Sequence, residues 1–427
     1  MTFQESISWL YSQLPMFQRD GASAYKKDLT NTLKLCDWLD NPHKKLKVIH
    51  IAGTNGKGSV SHMLAAVLQA AGYKTGLYTS PHLRCFTERI RINGVPVTEE
   101  EVCRFTEKFI HDAPDVAPSF FELTVAMAFD YFVREQVEVA VIETGMGGRL
   151  DSTNVVLPMC SVITTIGLDH TAFLGPDLPS IAAEKAGIIK PGIPVVIGQR
   201  HPETAPVFEQ VAARQHAPLL WADRVGLQMA QDWDYLNGRR NYVWEDEGLS
   251  ISLPLAGIYQ SGNLQTVLAT LPILRENGFT LPAEACVEGL SDCVTKTGFQ
   301  GRWQLLSQQP YALADTAHNP QGFELVMQQL AAMGAQRYHL VLGFVADKDV
   351  QALLERIPRF SCHVYACAPA MPRALEVKQL EPLLIDNNFS YSLHDSVADA
   401  YLSAKGFWRE KDVIFVGGST FVVSEVV

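Results

Sequence analysis

Ile49-His50-Ile51-Ala52-Gly53-Thr54-Asn55-Gly56-Lys57-Gly58-Ser59 is the stretch on which the fold turns. An apolar run through Val48, Ile49 and Ile51 stops in a loop of three glycines and one lysine, and a helical pattern opens at Ser59. Glycines let backbone N–H groups face anionic oxygens, the helix behind them offers unpaired N-terminal donors, and the lysine adds a mobile positive charge. The layout predicts a cradle from Gly53 to Ser59 for the phosphates of a nucleotide triphosphate. It departs from the general signature G-x-x-x-x-G-K-[ST], which would need glycine where Ile51 stands and a hydroxyl where Gly58 stands. The plain alternative is a glycine-rich turn between strand and helix.

Working outward, Ser59 to Ala71 reads as a helix ending at Gly72, and Thr75 to Thr79 returns as a strand, a parallel crossover unit. Upstream lie a first helix with Ile7, Leu10, Tyr11 and Leu14 on one face, a polar loop around Gly21, and a second helix from Leu29 to Asp40 stopped by Asn41-Pro42. Downstream, Thr98 with Glu101 and Ser119 with Glu122 are S/T-x-x-E capping boxes that mark two more helices. Val137 to Ile142 and Ser161 to Ile166 are apolar or β-branched nearly throughout, as strands buried on both faces should be. Ligands gather at the carboxyl ends of parallel strands, so Glu143 and Gly167-Leu168-Asp169-His170 are placed to share a crevice with the cradle.

Ile193 to Ile197 is a further strand, Leu219 to Leu253 suggests a small antiparallel appendage, and Ser261 to Asn277 is helical. A composition break at Thr295 to Gly301 precedes new strands at Tyr311 to Ala314, Leu340 to Leu342, Cys362 to Ala366 and Val413 to Val416. The expected fold is therefore α/β with two Rossmann-like domains: a mostly parallel, P-loop ATPase-type domain over residues 1–295 and a smaller α/β domain over residues 296–427.

A chain of 427 residues exceeds what one core usually holds, in keeping with two domains. Its net charge of −11, with no basic stripe, argues against a nucleic-acid partner. Eight scattered cysteines without a C-x-x-C pair read as thiols of a reducing compartment. The N-terminus lacks the basic start and apolar core of a signal peptide, and no apolar run reaches about 18 residues, so neither a membrane span nor a membrane partner is expected. A cytoplasmic monomer is the expectation.

A nucleotide cradle works with a divalent cation, and magnesium takes hard oxygen ligands sparingly, with water and phosphate completing the shell. Glu143 is the natural carboxylate, and Gly145, Gly147 and Gly148 beside it mark a loop brought close to something. Taken singly, His170 reads more readily as a solvated loop histidine and Lys185 as an ordinary surface lysine than as functional groups.

The flanking words form a set: Gly53 to Ser59, Thr79-Ser80-Pro81-His82-Leu83, Glu143-Thr144-Gly145-Met146-Gly147-Gly148-Arg149-Leu150-Asp151-Ser152-Thr153-Asn154, Leu168-Asp169-His170, Glu184-Lys185-Ala186-Gly187-Ile188-Ile189-Lys190 and Ala317-His318-Asn319-Pro320. In this order, and from about Ser6 to Val426, the chain resembles the folylpolyglutamate synthase and dihydrofolate synthase family, ATP-dependent amide ligases grouped with the Mur enzymes of cell-wall synthesis. The resemblance implies that Gly53, Thr54, Asn55, Gly56, Lys57, Gly58 and Ser59 bind ATP together with Asn263, Arg302, Asp315 and Asp347. It implies that Ser80, Glu143 and His170 hold magnesium, that Lys185 is carbamylated, and that Lys57, Lys185 and His318 serve the chemistry. With the metal so assigned, Ser59 is expected to cap its helix. Dihydropteroate or a reduced folate would lie along Ser119, Phe120, Phe121 and Glu122 and along Leu150, Asp151 and Ser152, although Phe120 and Phe121 suit a core equally well.

The family usually has His where Tyr259 stands, Pro where Gln300 stands, and Gly where Thr316 stands; these changes bear on adenine and linker geometry and leave the phosphate and metal residues intact. The implied reaction activates a carboxylate as an acyl phosphate that the amine of L-glutamate then attacks, in a site assembled and dried by domain closure. A Mur-type ligase acting on a nucleotide-linked peptide and a P-loop small-molecule kinase are the rival readings. Whether the acceptor is dihydropteroate, a folate tail or both is left open by the sequence.

Overall fold

The computed structural model describes residues 1–16, 19, 28–234 and 237–427. The polar loop expected around Gly21 lies outside them. The chain divides into two compact units: Met1–Met229, Tyr242–Ser252 and Ser261–Phe299 form one, and Ala230–Asn241, Leu253–Gln260 and Gln300–Val427 the other.

In the first unit, β1 (Val48–Ala52), β2 (Thr75–Tyr78), β3 (Ile90–Ile92), β4 (Val95–Pro96), β5 (Val139–Glu143), β6 (Cys160–Ile163), β7 (Val195–Ile197) and β8 (Leu219–Trp221) make one sheet in the order β4-β3-β2-β5-β1-β6-β7-β8. From β2 to β8 every pairing is parallel, while β3 and β4 fold back antiparallel at one edge. β1, β2, β5 and β6 are buried at every position, which explains why their sequences run apolar without alternation. β1 lies between β5 and β6 in register Ile51↔Glu143 and Ala52↔Ile163, so three strand ends open side by side.

The helix after the cradle spans Lys57–Ala70, two residues earlier than the apolar pattern indicates. Its N-cap is Gly56, at φ +89°, and Ser59 is its third residue with 1% of its surface exposed, so the expected cap at Ser59 is not formed. The reason is steric. A Cβ on residue 56 would stand 2.2 Å from Asn263 Oδ1, and the left-handed backbone there disfavours any side chain, so no serine or threonine can occupy the capping position. Both capping-box helices are present: Thr98 accepts from Glu101 N, and Ser119 and Glu122 cap each other reciprocally.

The appendage expected between Leu219 and Leu253 is smaller than its alternation suggests. Leu219–Trp221 joins the main sheet as β8, parallel to β7, because Trp221 is buried in the cluster that holds Ile197 and Phe208. Only β9 (Leu227–Asp234), β10 (Arg239–Trp244) and β11 (Leu249–Leu253) form the separate three-stranded sheet.

In the second unit, β12 (Gln304–Gln308), β13 (Tyr311–Ala314), β14 (Tyr338–Leu342), β15 (Cys362–Ala366), β16 (Tyr391–Leu393) and β17 (Val413–Gly417) lie in the order β12-β13-β17-β14-β15-β16. All pairings are parallel except β12 with β13. Its core gathers Phe323, Leu340, Val364, Phe415 and Trp303. β12 and β16, which the apolar pattern does not announce, are the half-exposed edges of the sheet. Among the described residues, no helix is long and apolar enough to cross a membrane.

Candidate active site

The cradle is held from behind by the segment that follows β6. Thr54 N donates to Thr165 O (2.7 Å), Gly167 N donates to Thr54 Oγ1 (3.1 Å), and Thr164 Oγ1 donates to Asn55 O (2.6 Å). A Cβ on Gly53 would stand 1.8 Å from Thr164 Oγ1, so the close fit between loop and strand requires glycine. The Lys57 ammonium folds back on the loop, donating to Gly53 O at 3.1 Å and to Thr54 O at 3.4 Å. Gly58 leaves room beside the carboxylate of β5, where a Cβ would come within 3.9 Å of Glu143 Oε1.

Glu143 ends β5 with 4% of its surface exposed, and its Oε2 accepts from Ser80 N at 3.0 Å. His170 stands at the N-cap of the short helix Thr171–Leu174 in the left-handed conformation, φ +51°, directly after the strand-end loop of β6. Lys185, on the helix Leu178–Ala186, is 3% exposed and donates to Gly53 O at 2.9 Å, so both lysines converge on one carbonyl of the cradle. Burial, reinforced by the charge of Lys57 and opposed by Asp169, Asp151 and Glu184, pulls the Lys185 ammonium down to about 7. Among the described residues no group of three or more His, Cys, Asp or Glu side chains converges as a metal cage.

The glycine loop after Glu143 is fixed by Asp151. Its Oδ2 accepts from Gly145 N (2.8 Å) and Met146 N (2.9 Å), and its Oδ1 accepts from Thr153 N (3.0 Å) and Thr153 Oγ1 (2.6 Å). The loop is tightly wedged. A Cβ on Gly145 would lie 2.5 Å from the Phe121 ring, and one on Gly148 would lie 2.9 Å from Lys185 O. Leu150 is half-buried and Ser152 buried next to it. Phe121 is half-buried, whereas Phe120 is sealed between Tyr11 (5.4 Å) and Phe86 (5.9 Å) with the Arg89 guanidinium 5.1 Å over its ring. Ser119 and Glu122 are buried too, and Glu122 Oε2 takes Ser119 N at 2.6 Å.

In the second unit Asp315 directly follows β13 and collects Trp303 N and Ala317 N, each at 2.8 Å, and the Tyr259 hydroxyl. Burial raises the Asp315 carboxyl above its ordinary value, and the Arg302 charge opposes this. Tyr259, the departure from the family histidine, thus keeps a donor on Asp315. Arg302 donates to Gly301 O (3.2 Å), His318 Nδ1 lies 2.9 Å from Thr316 O, and exposed Asp347 pairs with Arg373.

Comparison with known proteins gives the family. The Mur ligase middle domain matches residues 51–271, and the Mur ligase glutamate ligase domain matches residues 301–420. The dihydrofolate synthase/folylpolyglutamate synthase of Bacillus subtilis is 32% identical over 99% of this chain and 98% of its own. The enzyme of the same description from Escherichia coli is 34% identical over 89% of this chain and 85% of its own. The chain belongs to the folylpolyglutamate synthase and dihydrofolate synthase family. Family members are ATP-dependent glutamate ligases of folate metabolism. Among solved structures, E. coli FolC in complex with DHPP and ADP superposes with a TM-score of 0.85 at 30% identity, covering 100% of this chain and 97% of that one. The Yersinia pestis bifunctional folylpolyglutamate synthase/dihydrofolate synthase, complexed with AMPPNP and Mn, gives 0.83 at 29% identity over 100% and 97%.

In this synthase-family chain two residues that the sequence reading gave no role are paired with residues of the quoted motifs. Arg89, in the turn before β3, is buried and donates from Nε to His82 Nδ1 at 2.8 Å; burial and that neighbouring charge hold His82 neutral, down to about 2. His50, in the middle of β1, lies 2.8 Å from Thr153 Oγ1. A polar residue inside an apolar strand is the signal that could have found His50; Arg89 reads as a surface arginine.

Proposed function

We propose that the chain uses ATP and magnesium to join L-glutamate to dihydropteroate, to the glutamate tail of a reduced folate, or to both, through an acyl phosphate. One observation carries this: at the ends of adjacent strands, cradle carbonyl Gly53 O receives both Lys57 and Lys185 while the neighbouring strand delivers the buried Glu143 to Ser80. The ligands named for the E. coli and Y. pestis relatives, DHPP with ADP and AMPPNP with Mn, support it.

In this reading Gly53 to Ser59, with Asn263, Arg302, Asp315 and Asp347, take the nucleotide. Ser80, Glu143 and His170 would hold magnesium, which when bound neutralises charge on the transferring phosphoryl group. The Glu143 carboxylate and the Ser80 hydroxyl are hard oxygen donors of the kind that ion takes. Ser119 to Glu122 and Leu150 to Ser152 line the pteroate end, with Phe121 rather than sealed Phe120 offering the ring face. Lys57 steers the γ-phosphate, an oxygen of the substrate carboxylate attacks its phosphorus, and ADP leaves. The amine of glutamate then attacks the acyl carbon, phosphate leaves, and the amine gives up a proton, with His318 assigned to this chemistry.

Lys185 fits carbamylation. Near neutral pH a substantial share of its amine is uncharged, the form that adds to carbon dioxide with loss of a proton, and its seat under Gly53 O lies beside the cradle. The domain assignment is that residues 1–295 bind ATP and residues 296–427 supply the ligase domain. The reading includes a cytoplasmic monomer that needs neither nucleic acid nor membrane.

The test is purified protein with ATP, magnesium and L-glutamate, offered dihydropteroate and a reduced folate separately, with products resolved by mass. A glutamate-dependent amide product and ADP are expected. Phosphate transfer without glutamate, or turnover only of a nucleotide-linked peptide, would favour the rivals. Lys57→Ala and Glu143→Ala should each lower turnover by at least a hundredfold while the circular dichroism spectrum is kept. Undiminished ligation in either folded variant would sink the site assignment.

A further inference from the structure

Resting on the function just proposed, the geometry points to His50 as a positioning residue that sets the substrate loop through a relay of buried hydrogen bonds. His50 is fully buried in a strand whose other members are apolar, and its Nδ1 has no partner. Burying an unmet polar atom costs about 1–3 kcal/mol, so an apolar residue would suit the core better unless the imidazole holds something in place.

What it holds can be followed atom by atom. Thr153 has one hydroxyl hydrogen, and the 2.6 Å contact spends it on Asp151 Oδ1. The hydrogen between His50 and Thr153, 2.8 Å apart, therefore sits on His50 Nε2, and the imidazole is the Nε2–H tautomer. Asp151 Oδ1 also takes Thr153 N, and its Oδ2 is shared by Gly145 N and Met146 N. The relay thus runs from the strand that ends in the cradle to the loop that follows Glu143.

That loop is the wedge between Phe121, packed on Gly145, and the Lys185 backbone, packed on Gly148. Losing the last donor on Thr153 frees its hydroxyl to rotate away from Asp151, and the Gly145-Met146 turn loosens on the pteroate side. The cradle keeps its own bonds to Thr164, Thr165 and Gly167 and is untouched. Asp151, with both oxygens committed to the protein, acts through the loop.

Three substitutions separate this from a mere core role. Gln places its amide nitrogen near Nε2 of histidine and can donate to Thr153; Asn reaches only the Nδ1 position; Thr153→Val keeps volume and removes the hydroxyl. His50→Asn and Thr153→Val should raise KM for dihydropteroate or folate about three- to tenfold, the worth of one hydrogen bond, with KM for ATP unchanged, and His50→Gln should stay near the parent. Hydrogen exchange at Gly145 and Met146 should quicken in the first two and not in the third. Unchanged exchange in Thr153→Val, a His50→Gln variant no better than His50→Asn, or an equal rise in KM for ATP overturns the inference. A parent protein that binds neither dihydropteroate nor folate overturns the proposed function instead, while the exchange measurement still decides the relay.

Discussion

Lys185 and His50 are both ionisable groups whose charged forms burial disfavours, and they act on stability on opposite sides of neutral pH. In the protein before carbamylation the Lys185 ammonium falls from 10.5 to about 7, so between those values the unfolded chain holds a proton that the folded chain has shed. Stability from this residue therefore rises with pH across that window, by up to about 1.4 kcal/mol per unit. His50 falls from 6.5 to about 3, so the unfolded chain again binds the extra proton and stability is lost as pH drops below 6.5. Urea midpoints should show Lys185→Met flattening the gain between pH 7 and 9, and His50→Gln flattening the loss between pH 6.5 and 5. A parent-like slope in either variant would contradict the corresponding burial. At this scale the sequence was legible where a residue sits in a local word, as Lys57 and Glu143 do. It was opaque where the role depends on a partner about a hundred residues away, as for His50 with Thr153 or Lys185 with Gly53 O.

Elements were legible where period and punctuation agree. β1, its loop and the following helix could be read because five buried residues run into a glycine loop in which Gly53 and Gly56 leave no room for a side chain. Gly56→Ala should express that: about 1–2 kcal/mol of left-handed strain and a collision with Asn263 should displace the helix start. A loss of ATP affinity of tenfold or more is expected by titration calorimetry, and parent-like affinity would contradict the cradle. Gly148→Ala probes the neighbouring contact, since its methyl would press on the backbone of Glu184 and Lys185. A drop of several degrees in melting temperature is expected, together with weaker carbon-dioxide labelling of Lys185. Short edge strands escaped because three residues carry too little periodicity: β8 and β16 are defined by the sheet they join. Ser59 failed as a cap for a reason no local pattern holds, the Asn263 side chain lying where a cap residue's Cβ would be.

For the molecule as a whole, chain length and the alternation of strands with helices were a sound guide to two α/β sheets, and the order of strands within them was not readable from one sequence. The eight cysteines offer a global check. All are free; Cys36, Cys160, Cys286, Cys293 and Cys367 are buried, and burial pushes Cys36, Cys160 and Cys367 up to about 12 and Cys286 up to about 11. A thiol reagent should label at most Cys85, Cys103 and Cys362 in the native protein and all eight in urea; rapid native labelling of Cys160 would show that the central sheet opens. The strand order has one more consequence, in time. β1 finds its neighbours β5 and β6 about 90 and 110 residues further along the chain. At the roughly 5–20 residues per second of protein synthesis, the phosphate loop waits on the order of ten seconds for the strands that seat it. During that interval its apolar strand is exposed on the nascent chain, so slowing translation just after residue 60 should raise chaperone dependence more than slowing it after residue 170.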